Sequence, residues 1–236
     1  MKKHVKRVLR HPLISGSGII FVGSFIANIL NYLFNLSMGR LLSVPDYGLL
    51  ISLTALVVLL TILQSSLTML FTTFAARYSA RNDQAAKAHL IWSGTKISVA
   101  VGFIFFIVLM VLIKPISEFL HVDNVPLMIT VFSSVTVSIL YSLPSGILQG
   151  GLHFFQTSVI SIIGATSKIF FGVLFVFLGF GVVGGALGIL YSFLIPYSIS
   201  YLYVLKKYGV VIHSKSKLDF LSEFKNLAKS KGKRLH

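Results

Sequence analysis

The polar side chains that could do chemistry in this sequence lie within long apolar stretches. Asn28, Asn31 and Asn35 recur at spacings of three and four residues, which places them on one face of a helix. Lys168 lies about sixteen residues, or ~24 Å of helix, into another apolar stretch. Amides exchange hydrogen bonds with hydroxyls, and an ammonium neutralises a phosphate. These residues therefore indicate binding of an anionic, hydroxyl-rich solute.

The environment of Lys168 is restricted because no acidic residue lies within the apolar stretches. A lysine at that depth must face water, an anion or a carboxylate, or lose its proton. The six acids fall in connections or in the C-terminal tail: Asp46, Asp83, Glu118, Asp123, Asp219 and Glu223. A wet cavity that admits an anion is thus favoured, and the alternative is extension of the side chain to the outer headgroups. Lys96 lies only ~12 Å into its stretch and is expected to reach the inner headgroups.

Two further apolar stretches carry polar stripes. One consists of Thr54, Thr61, Gln64, Ser65, Thr68 and Thr72, and the other of Thr130, Ser134, Ser138, Tyr141 and Ser145. Serine and threonine commonly bond back to their own helix, and we favour that interpretation for the first stripe. The asparagines need partners that neither lipid nor a saturated helix backbone supplies. For them we favour a shared wet cavity over interhelical hydrogen bonds.

The elements that position these residues are membrane-spanning helices. The chain has 236 residues, of which 55% are hydrophobic and 11% charged, and its mean hydropathy is +0.87. Six apolar stretches each exceed the ~20 residues that a helix needs to cross a bilayer. They cover residues 14–38, 48–76, 88–113, 125–149, 152–178 and 183–205. We predict an all-α, polytopic membrane protein with six transmembrane helices.

The predicted organisation is a basic N-terminus (1–13), the helical bundle (14–205) and a basic tail (206–236). The first apolar stretch is too long for a signal peptide and precedes five more, so we interpret it as retained. Within the tail, residues at three- and four-residue spacing predict a short amphipathic helix, with a frayed terminus as the alternative. These residues are Leu218, Leu221, Phe224, Leu227 and Ala228.

The distribution of basic residues predicts the topology. The formal net charge is +15, and seventeen of the 21 Lys and Arg residues fall on one side if the six helices alternate in direction. By the positive-inside rule, both termini are cytoplasmic, and the protein is a multi-pass protein of the cell membrane. A nucleic-acid-binding arm is the alternative for the tail. Attraction to anionic lipid is the commoner cause of such charge, so we predict no nucleic-acid partner.

The sequence offers no motif for an enzyme, a metal or a cofactor. Residues 179–184, GFGVVG, match G-x-G-x-x-G in letters, but no strand precedes them. The chain has no cysteine, and its seven histidines form no pair with an acid at metal-ligand spacing. We predict no catalytic site and no cofactor. The glycine run instead predicts close packing of the sixth helix against a neighbour, through Gly181, Gly184, Gly185 and Gly188.

Two segments resemble a known family. GRLLSVPDYGLL, residues 39–50, is similar to the signature of oligosaccharide flippases of the polysaccharide-biosynthesis (Wzx-like) family, part of the superfamily of multidrug, oligosaccharidyl-lipid and polysaccharide exporters. Residues 143–188, with Gln149 and Gly150 at the inner turn and Lys168 beyond, resemble the fourth to sixth helices of that family. Together the similarities cover residues 14 to about 205. The departures are His153, where relatives commonly carry arginines, and the length, which corresponds to one of two similar halves.

The resemblance implies translocation of a polyprenyl-pyrophosphate-linked oligosaccharide to the outer leaflet by alternating access. Lys168, with Arg40, is expected to neutralise the pyrophosphate. The sugar is expected to contact Asn28, Asn31, Asn35, Ser134 and Tyr141, whose groups can exchange hydrogen bonds with hydroxyls.

The charges of the 39–50 segment have a second interpretation, which is local. Asp46 is expected to cap the second helix, and Arg40 either pairs with Asp46 or binds the anion.

The predicted partners are the lipid-linked oligosaccharide, membrane lipid and a second lobe. The second lobe would come from homodimerisation or from a separately encoded half; a truncated product without transport activity is the third option. Two other functions remain open. One is export of small cationic drugs, which would call for a carboxylate within the membrane, and the other is a non-transporting membrane interaction protein.

Overall fold

The computed structural model describes residues 12–120, 122 and 124–208, and these residues form α-helices with no strand among them. The seven α-helices are α1 (Pro12–Leu41), α2 (Val44–Ala80), α3 (Gln84–Val111), α4 (Ile113–Leu120), α5 (Val125–Gly150), α6 (Phe154–Phe175) and α7 (Gly181–Tyr208). The amphipathic helix predicted around Leu218 to Ala228 lies outside the described residues.

The described chain contains five apolar helical segments long enough to cross a membrane, and the last of them, residues 154–208, contains two helices. A five-residue π-helical turn, Val176–Phe180, joins α6 to α7, and the chain reverses at Gly179, whose φ is 90°. Residues with a Cβ rarely adopt that conformation. Helices α6 and α7 then lie against each other. The predicted all-α, polytopic membrane fold is confirmed, with α1, α2, α3, α5, α6 and α7 as its long helices.

The start of α2 shows how polar residues set a helix boundary. Ser43 is the N-cap, and its hydroxyl oxygen accepts a hydrogen bond from the Asp46 backbone N–H at 3.3 Å. The Ser43 hydroxyl in turn donates to the Asp46 carboxylate at 2.7 Å. Asp46 therefore lies in the first turn of α2. A negative carboxylate there interacts favourably with the positive end of the helix dipole. The expectation that Asp46 itself caps α2 is wrong, because Ser43 occupies the cap position.

The predicted connection 114–124 contains an additional helix. Helix α4, Ile113–Leu120, follows α3 after a single residue and is too short to span a membrane. Phe119 on α4 is 81% exposed. A short amphipathic helix next to a membrane span is typical of a segment that lies at the bilayer surface.

Glycines allow the long helices to approach closely. A Cβ on Gly188 of α7 would lie 2.7 Å from the Gly172 Cα of α6, and one on Gly184 would lie 2.7 Å from the Val176 nitrogen. A Cβ on Gly185 of α7 would likewise lie 2.8 Å from Cδ2 of Leu50 on α2. The predicted close packing through these glycines is confirmed. Nothing lies within 4 Å of a Cβ added at Gly181, so this glycine makes no close contact. Its φ of 53° instead allows the chain to turn between α6 and α7.

A second glycine contact joins α2 to α5. A Cβ on Gly146 would lie 2.9 Å from the Thr68 carbonyl oxygen, and one on Gly150 would lie 2.5 Å from that of Thr72. Helix α5 also packs on α3 and α7, whereas α1 packs mainly on α6 and touches α2 little. The space between α1 and α2 is thereby left open.

The apolar core consists of two clusters, one towards each end of the bundle. The cluster at the end where α1 finishes and α2 begins, which we call the Arg40 end, contains Phe34, Met38, Leu50, Leu53 and Phe132 among others. The cluster at the opposite end contains Phe71, Phe74, Leu90, Leu143 and Ile147. We call that opposite end, where α3 and α6 begin and α7 finishes, the Lys207 end.

Candidate functional site

A cleft lined by polar and apolar residues lies where the two apolar clusters meet. It has a volume of about 320 Å³ and is lined by residues of α1, α2, α5, α6 and α7. Its polar lining residues are Asn31, Thr54, Thr61, Tyr141, Ser161, Lys168 and Ser192. None of the described residues that line it is an aspartate or a glutamate. The only formal charge on its walls is therefore the ammonium of Lys168.

Lys168 joins α6 to α1 across this cleft. Its Nζ donates a hydrogen bond to Oδ1 of Asn31 at 3.3 Å. The same Nζ lies 4.5 Å from the centroid of the Phe34 ring, where the aromatic face attracts a cation. Asn31 is oriented by its own helix, because its Nδ2 donates to the Ala27 carbonyl at 2.9 Å. An ammonium has three N–H donors and the Asn31 oxygen takes one, so donors remain for a ligand in the cleft.

Helix α7 supplies part of the cleft wall that sequence reasoning missed. Pro196 has no N–H, so the Ser192 carbonyl lacks the donor that it would have in an uninterrupted helix. Both residues line the cleft, and Gly164 of α6 approaches them closely enough that a Cβ there would lie 3.0 Å from the Ser192 carbonyl oxygen. The signal in the sequence was a proline within an apolar stretch, a feature that membrane helices tolerate where freed backbone groups find other partners.

The cleft brings together three of the seven predicted site residues: Asn31, Tyr141 and Lys168. Asn28 is exposed on α1, and Arg40 is exposed in its last turn. Asn35 is half-buried, and its Nδ2 donates to the Asn31 carbonyl at 3.1 Å.

Ser134 lies outside the cleft surface. It is 0% exposed within α5, and its hydroxyl donates to the Val131 carbonyl at 2.7 Å.

The hydroxyls of the α2 stripe bond back to their own helix, as expected. Thr54 donates to the Leu50 carbonyl at 2.7 Å, and Thr61 donates to that of Val58 at 2.7 Å. Thr68 and Thr72 follow the same pattern. Thr54 and Thr61 also line the cleft, where their oxygens can still accept hydrogen bonds. Lys96, in contrast, is exposed on α3 and lies 4.8 Å from the ring centroid of Trp92.

A more open depression lies at the Arg40 end. It has a volume of about 580 Å³ and is lined by Asp46 and Asn124, together with apolar residues. Both polar residues already serve helix starts, because Asp46 accepts from Ser43 and Asn124 accepts from the Leu127 N–H. The cleft around Lys168, whose ammonium keeps donors that Asn31 does not use, is the better candidate for a ligand site.

The described chain is thus a multi-pass membrane protein of six long apolar helices that carries an acid-free polar cleft at mid-depth. Over residues 13–230 it matches the family described as "Polysaccharide biosynthesis protein", and it belongs to that family. The predicted relationship to polysaccharide-biosynthesis flippases is confirmed at the level of the family.

Two solved structures are similar to the described fold. One is an outward-facing multidrug resistance MATE family transporter of the MOP superfamily, with 16% identity and a TM-score of 0.70 over 89% of this chain. The other is a mutant of a MATE protein, with 18% identity and a TM-score of 0.66 over 91% of this chain. The chain spans about half the length of these proteins, 47% and 49%. No curated protein sequence matches the chain. Family and fold together support a membrane exporter or flippase in general.

Proposed function

We propose that this chain is one lobe of a flippase that translocates a polyprenyl-pyrophosphate-linked oligosaccharide across the cell membrane by alternating access. The observation that carries the proposal is a lysine held by an amide oxygen in a cleft without carboxylates. A buried ammonium that lacks a carboxylate attracts an anion from solution or from a lipid headgroup. Membership of the polysaccharide biosynthesis family supports a glycan as the remainder of the substrate.

In this proposal different residues of the cleft bind different parts of the substrate. The remaining donors of Lys168 bind the pyrophosphate in charge-assisted hydrogen bonds. Tyr141 and Ser192 line the cleft and contact the sugar. Asn31 keeps the ammonium in place and shares the sugar contacts. No residue forms a covalent intermediate, so the chain acts without enzymatic chemistry.

A second lobe would close the open side of the cleft. Helix α1 packs mainly on α6, and its other face is exposed, with Asn28 on that face and Tyr32 66% exposed. The solved structures of the same fold are about twice as long as this chain. We therefore propose that another lobe, from a second copy or from a separately encoded half, covers this surface. The basic Lys207 end faces the cytoplasm in this arrangement, as the positive-inside rule requires.

Complementation of a strain that lacks its oligosaccharide flippase tests the proposal. Lys168→Ala should abolish complementation, whereas Lys168→Arg should retain part of it because the positive charge persists. Lys96→Ala is the matched control, since it removes an exposed lysine of another membrane helix, α3. Abundance in the membrane fraction must be equal for all variants. Full complementation by Lys168→Ala would contradict the proposal.

Export of small cationic drugs is a second candidate, because one similar solved structure is a multidrug resistance transporter. The acid-free lining of the cleft argues against it, since a cation would meet Lys168 without a neutralising carboxylate. Resistance assays with cationic dyes distinguish the two functions. Resistance that depends on the chain and survives Lys168→Ala would favour drug export.

A further inference from the structure

A cluster of two lysines and one histidine lies at the Lys207 end, away from the cleft. It contains Lys87 from the first turn of α3, His153 from the turn before α6, and Lys207 from the last turn of α7. The Nζ of Lys207 lies 3.0 Å from Nε2 of His153, and the Tyr208 hydroxyl lies 3.0 Å from the same nitrogen. Lys87 Nζ and Lys207 Nζ lie 5.4 Å and 5.7 Å from the centroid of the Tyr208 ring. The ammonium groups of Lys87 and Lys207 thus lie near the Tyr208 ring, and Lys207 also lies beside the His153 imidazole.

Among the described residues, the cluster has more hydrogen-bond donors than acceptors. If Nε2 of His153 carries the lone pair, it accepts from Lys207 or from Tyr208 but not from both. If Nε2 carries the proton, it donates to the Tyr208 hydroxyl oxygen. In each tautomer Lys207 or Tyr208 keeps a donor that His153 does not accept. Each ammonium carries further N–H groups. The acid nearest to Lys87 in sequence is Asp83, and its carboxylate accepts from the Ala86 N–H at 2.9 Å as the cap of α3. An acceptor with several oxygens would satisfy the surplus donors.

The turn before α6 fixes the position of His153. Leu152 has a φ of 58°. Its N–H donates a hydrogen bond to the Gln149 carbonyl at 3.1 Å. The His153 N–H donates to the Leu148 carbonyl at 2.9 Å. The His153 ring contacts Tyr203 edge-on, with 6.2 Å between centroids. Gly151 leaves room for it, since a Cβ there would lie 3.0 Å from His153 Cδ2. Burial, and then the charges of Lys207 and Lys87, lower the pKa of His153.

The start of α6 adds to the positive potential. His153 is the N-cap residue of α6, yet its side chain makes no capping hydrogen bond. The first N–H groups of a helix lack intrahelical acceptors, and the helix dipole favours an anion there. Phosphate groups commonly bind at such positions when basic side chains surround them.

We propose that Lys87, His153, Lys207 and the start of α6 form a binding site for a phosphate group. The site is separate from the cleft, because Lys168 lies fourteen residues, or ~21 Å, along α6 from its first residue. The phosphate belongs either to an anionic lipid headgroup at the membrane surface or to a soluble phosphate compound. Both sources present the several oxygens that the surplus donors require.

Two binding measurements on the purified full chain distinguish the sources. Titration calorimetry with inorganic pyrophosphate reports a soluble ligand. Native mass spectrometry after incubation with phosphatidic acid, compared with phosphatidylcholine, reports a lipid headgroup. Lys87→Gln and Lys207→Gln should each weaken the bound probe about tenfold, as expected for loss of one charge-assisted hydrogen bond. Lys207→Arg should restore binding.

The matched control is Lys96→Gln, which removes an exposed lysine of α3 that lies beside Trp92 rather than in the cluster. This variant should bind as the unaltered chain does. Lys207 is exposed, so Lys207→Gln should fold normally. This variant is sufficient for the test if Lys87→Gln does not purify as a single species. Pyrophosphate binding that Lys207→Gln weakens and Lys168→Ala does not weaken assigns a soluble ligand to this site. Selective retention of phosphatidic acid that Lys207→Gln weakens assigns a lipid. The proposal is overturned if neither probe binds, if binding is lost in Lys168→Ala but unchanged in Lys207→Gln, or if Lys96→Gln weakens binding as much as Lys207→Gln.

Discussion

Lys168 donates a hydrogen bond to Asn31 at 3.3 Å, and this contact joins α6 to α1 across the cleft. The acceptor is a neutral amide, so the contact orients the ammonium without cancelling its charge. A carboxylate in the same place would hold the lysine equally well but would neutralise it. The identity of residue 31 should therefore decide whether the cleft attracts anions.

Asn31→Asp should abolish transport while making the bundle more stable. The new carboxylate would lie beside the Lys168 ammonium in a low-dielectric setting, where the ion pair outcompetes an incoming phosphate. We expect complementation as poor as that of Lys168→Ala, together with a higher melting temperature in detergent. Asn31→Ala is the control, because it removes the amide yet keeps the positive charge, and it should retain more transport. Better complementation by Asn31→Asp than by Asn31→Ala would refute this account of the cleft.

Tyr141→Phe and Ser134→Ala separate a residue of the cleft from a residue that only packs. Tyr141 lines the cleft, and its hydroxyl lies beside Ser145 and Ser200. We propose that the hydroxyl also reaches the substrate, so its loss should weaken substrate binding by about tenfold, the value of one hydrogen bond. Ser134 is 0% exposed and bonds to its own helix, so its replacement should leave transport unchanged. Transport of labelled lipid-linked oligosaccharide into proteoliposomes gives both values. A larger defect in Ser134→Ala than in Tyr141→Phe would show that α5 presents another face to the substrate.

Gly150→Ala should destabilise the bundle by about 1–3 kcal/mol, the usual cost of overpacking. The added methyl would lie 2.5 Å from the Thr72 carbonyl oxygen and 2.7 Å from the Ala75 Cβ, so α2 and α5 would have to separate. Gly48→Ala is the matched control, because nothing lies within 4 Å of its added Cβ. Alanine is the better helix former, so this control should be neutral or stabilising. Thermal unfolding in detergent measures both, and equal melting temperatures would contradict the packing.

Hydropathy and glycine spacing were enough to predict the helices and much of their packing. The run Gly181 to Gly188 predicted close packing of the sixth long helix against a neighbour, and the structure identifies that neighbour as α6. Gly146 and Gly150 show the same four-residue spacing at the α2–α5 contact. Sequence spacing could not decide which face of a helix meets the cleft. Asn28, Asn31 and Asn35 share one face of α1, yet only Asn31 reaches Lys168, because the cleft is shorter than the stripe. Which asparagine contacts Lys168 depends on its depth along α1, and that depth is set by how α1 and α6 align.

Ser134 and Pro196 illustrate the remaining limit of periodicity. Ser134 shares a stripe with Tyr141, but α5 is covered by neighbours over most of its length, so the stripe is buried at one level and open at another. Pro196 carries no polar side chain, and its effect is to free the carbonyl of Ser192. Such effects of the backbone are visible only once the neighbouring helix is in place. The fold could therefore be predicted from the sequence, whereas the residues that line the cleft could be identified only from the structure.

The pH dependence of stability should report on the cluster at the Lys207 end. Burial, Lys207 and Lys87 lower the pKa of His153, which precedes α6. The unfolded chain then binds a proton more readily than the folded chain, so the unfolding free energy falls as the pH drops through the ordinary histidine pKa of about 6.5. In Lys207→Gln one repelling charge is gone, and the pKa of His153 should move back towards its ordinary value. The melting temperature should consequently vary less between roughly pH 5 and pH 8.

The chain has seven histidines, so this effect must be isolated from the others. His153→Gln should remove the same component of the pH dependence, and adding Lys207→Gln to it should change the profile no further, because the two act on one titration. Lys96→Gln should leave the profile unaltered, since Lys96 lies beside Trp92 on the exposed face of α3. If the profile of Lys207→Gln superimposes on that of the unaltered chain, the ammonium of Lys207 does not act on His153, and the cluster does not form as described.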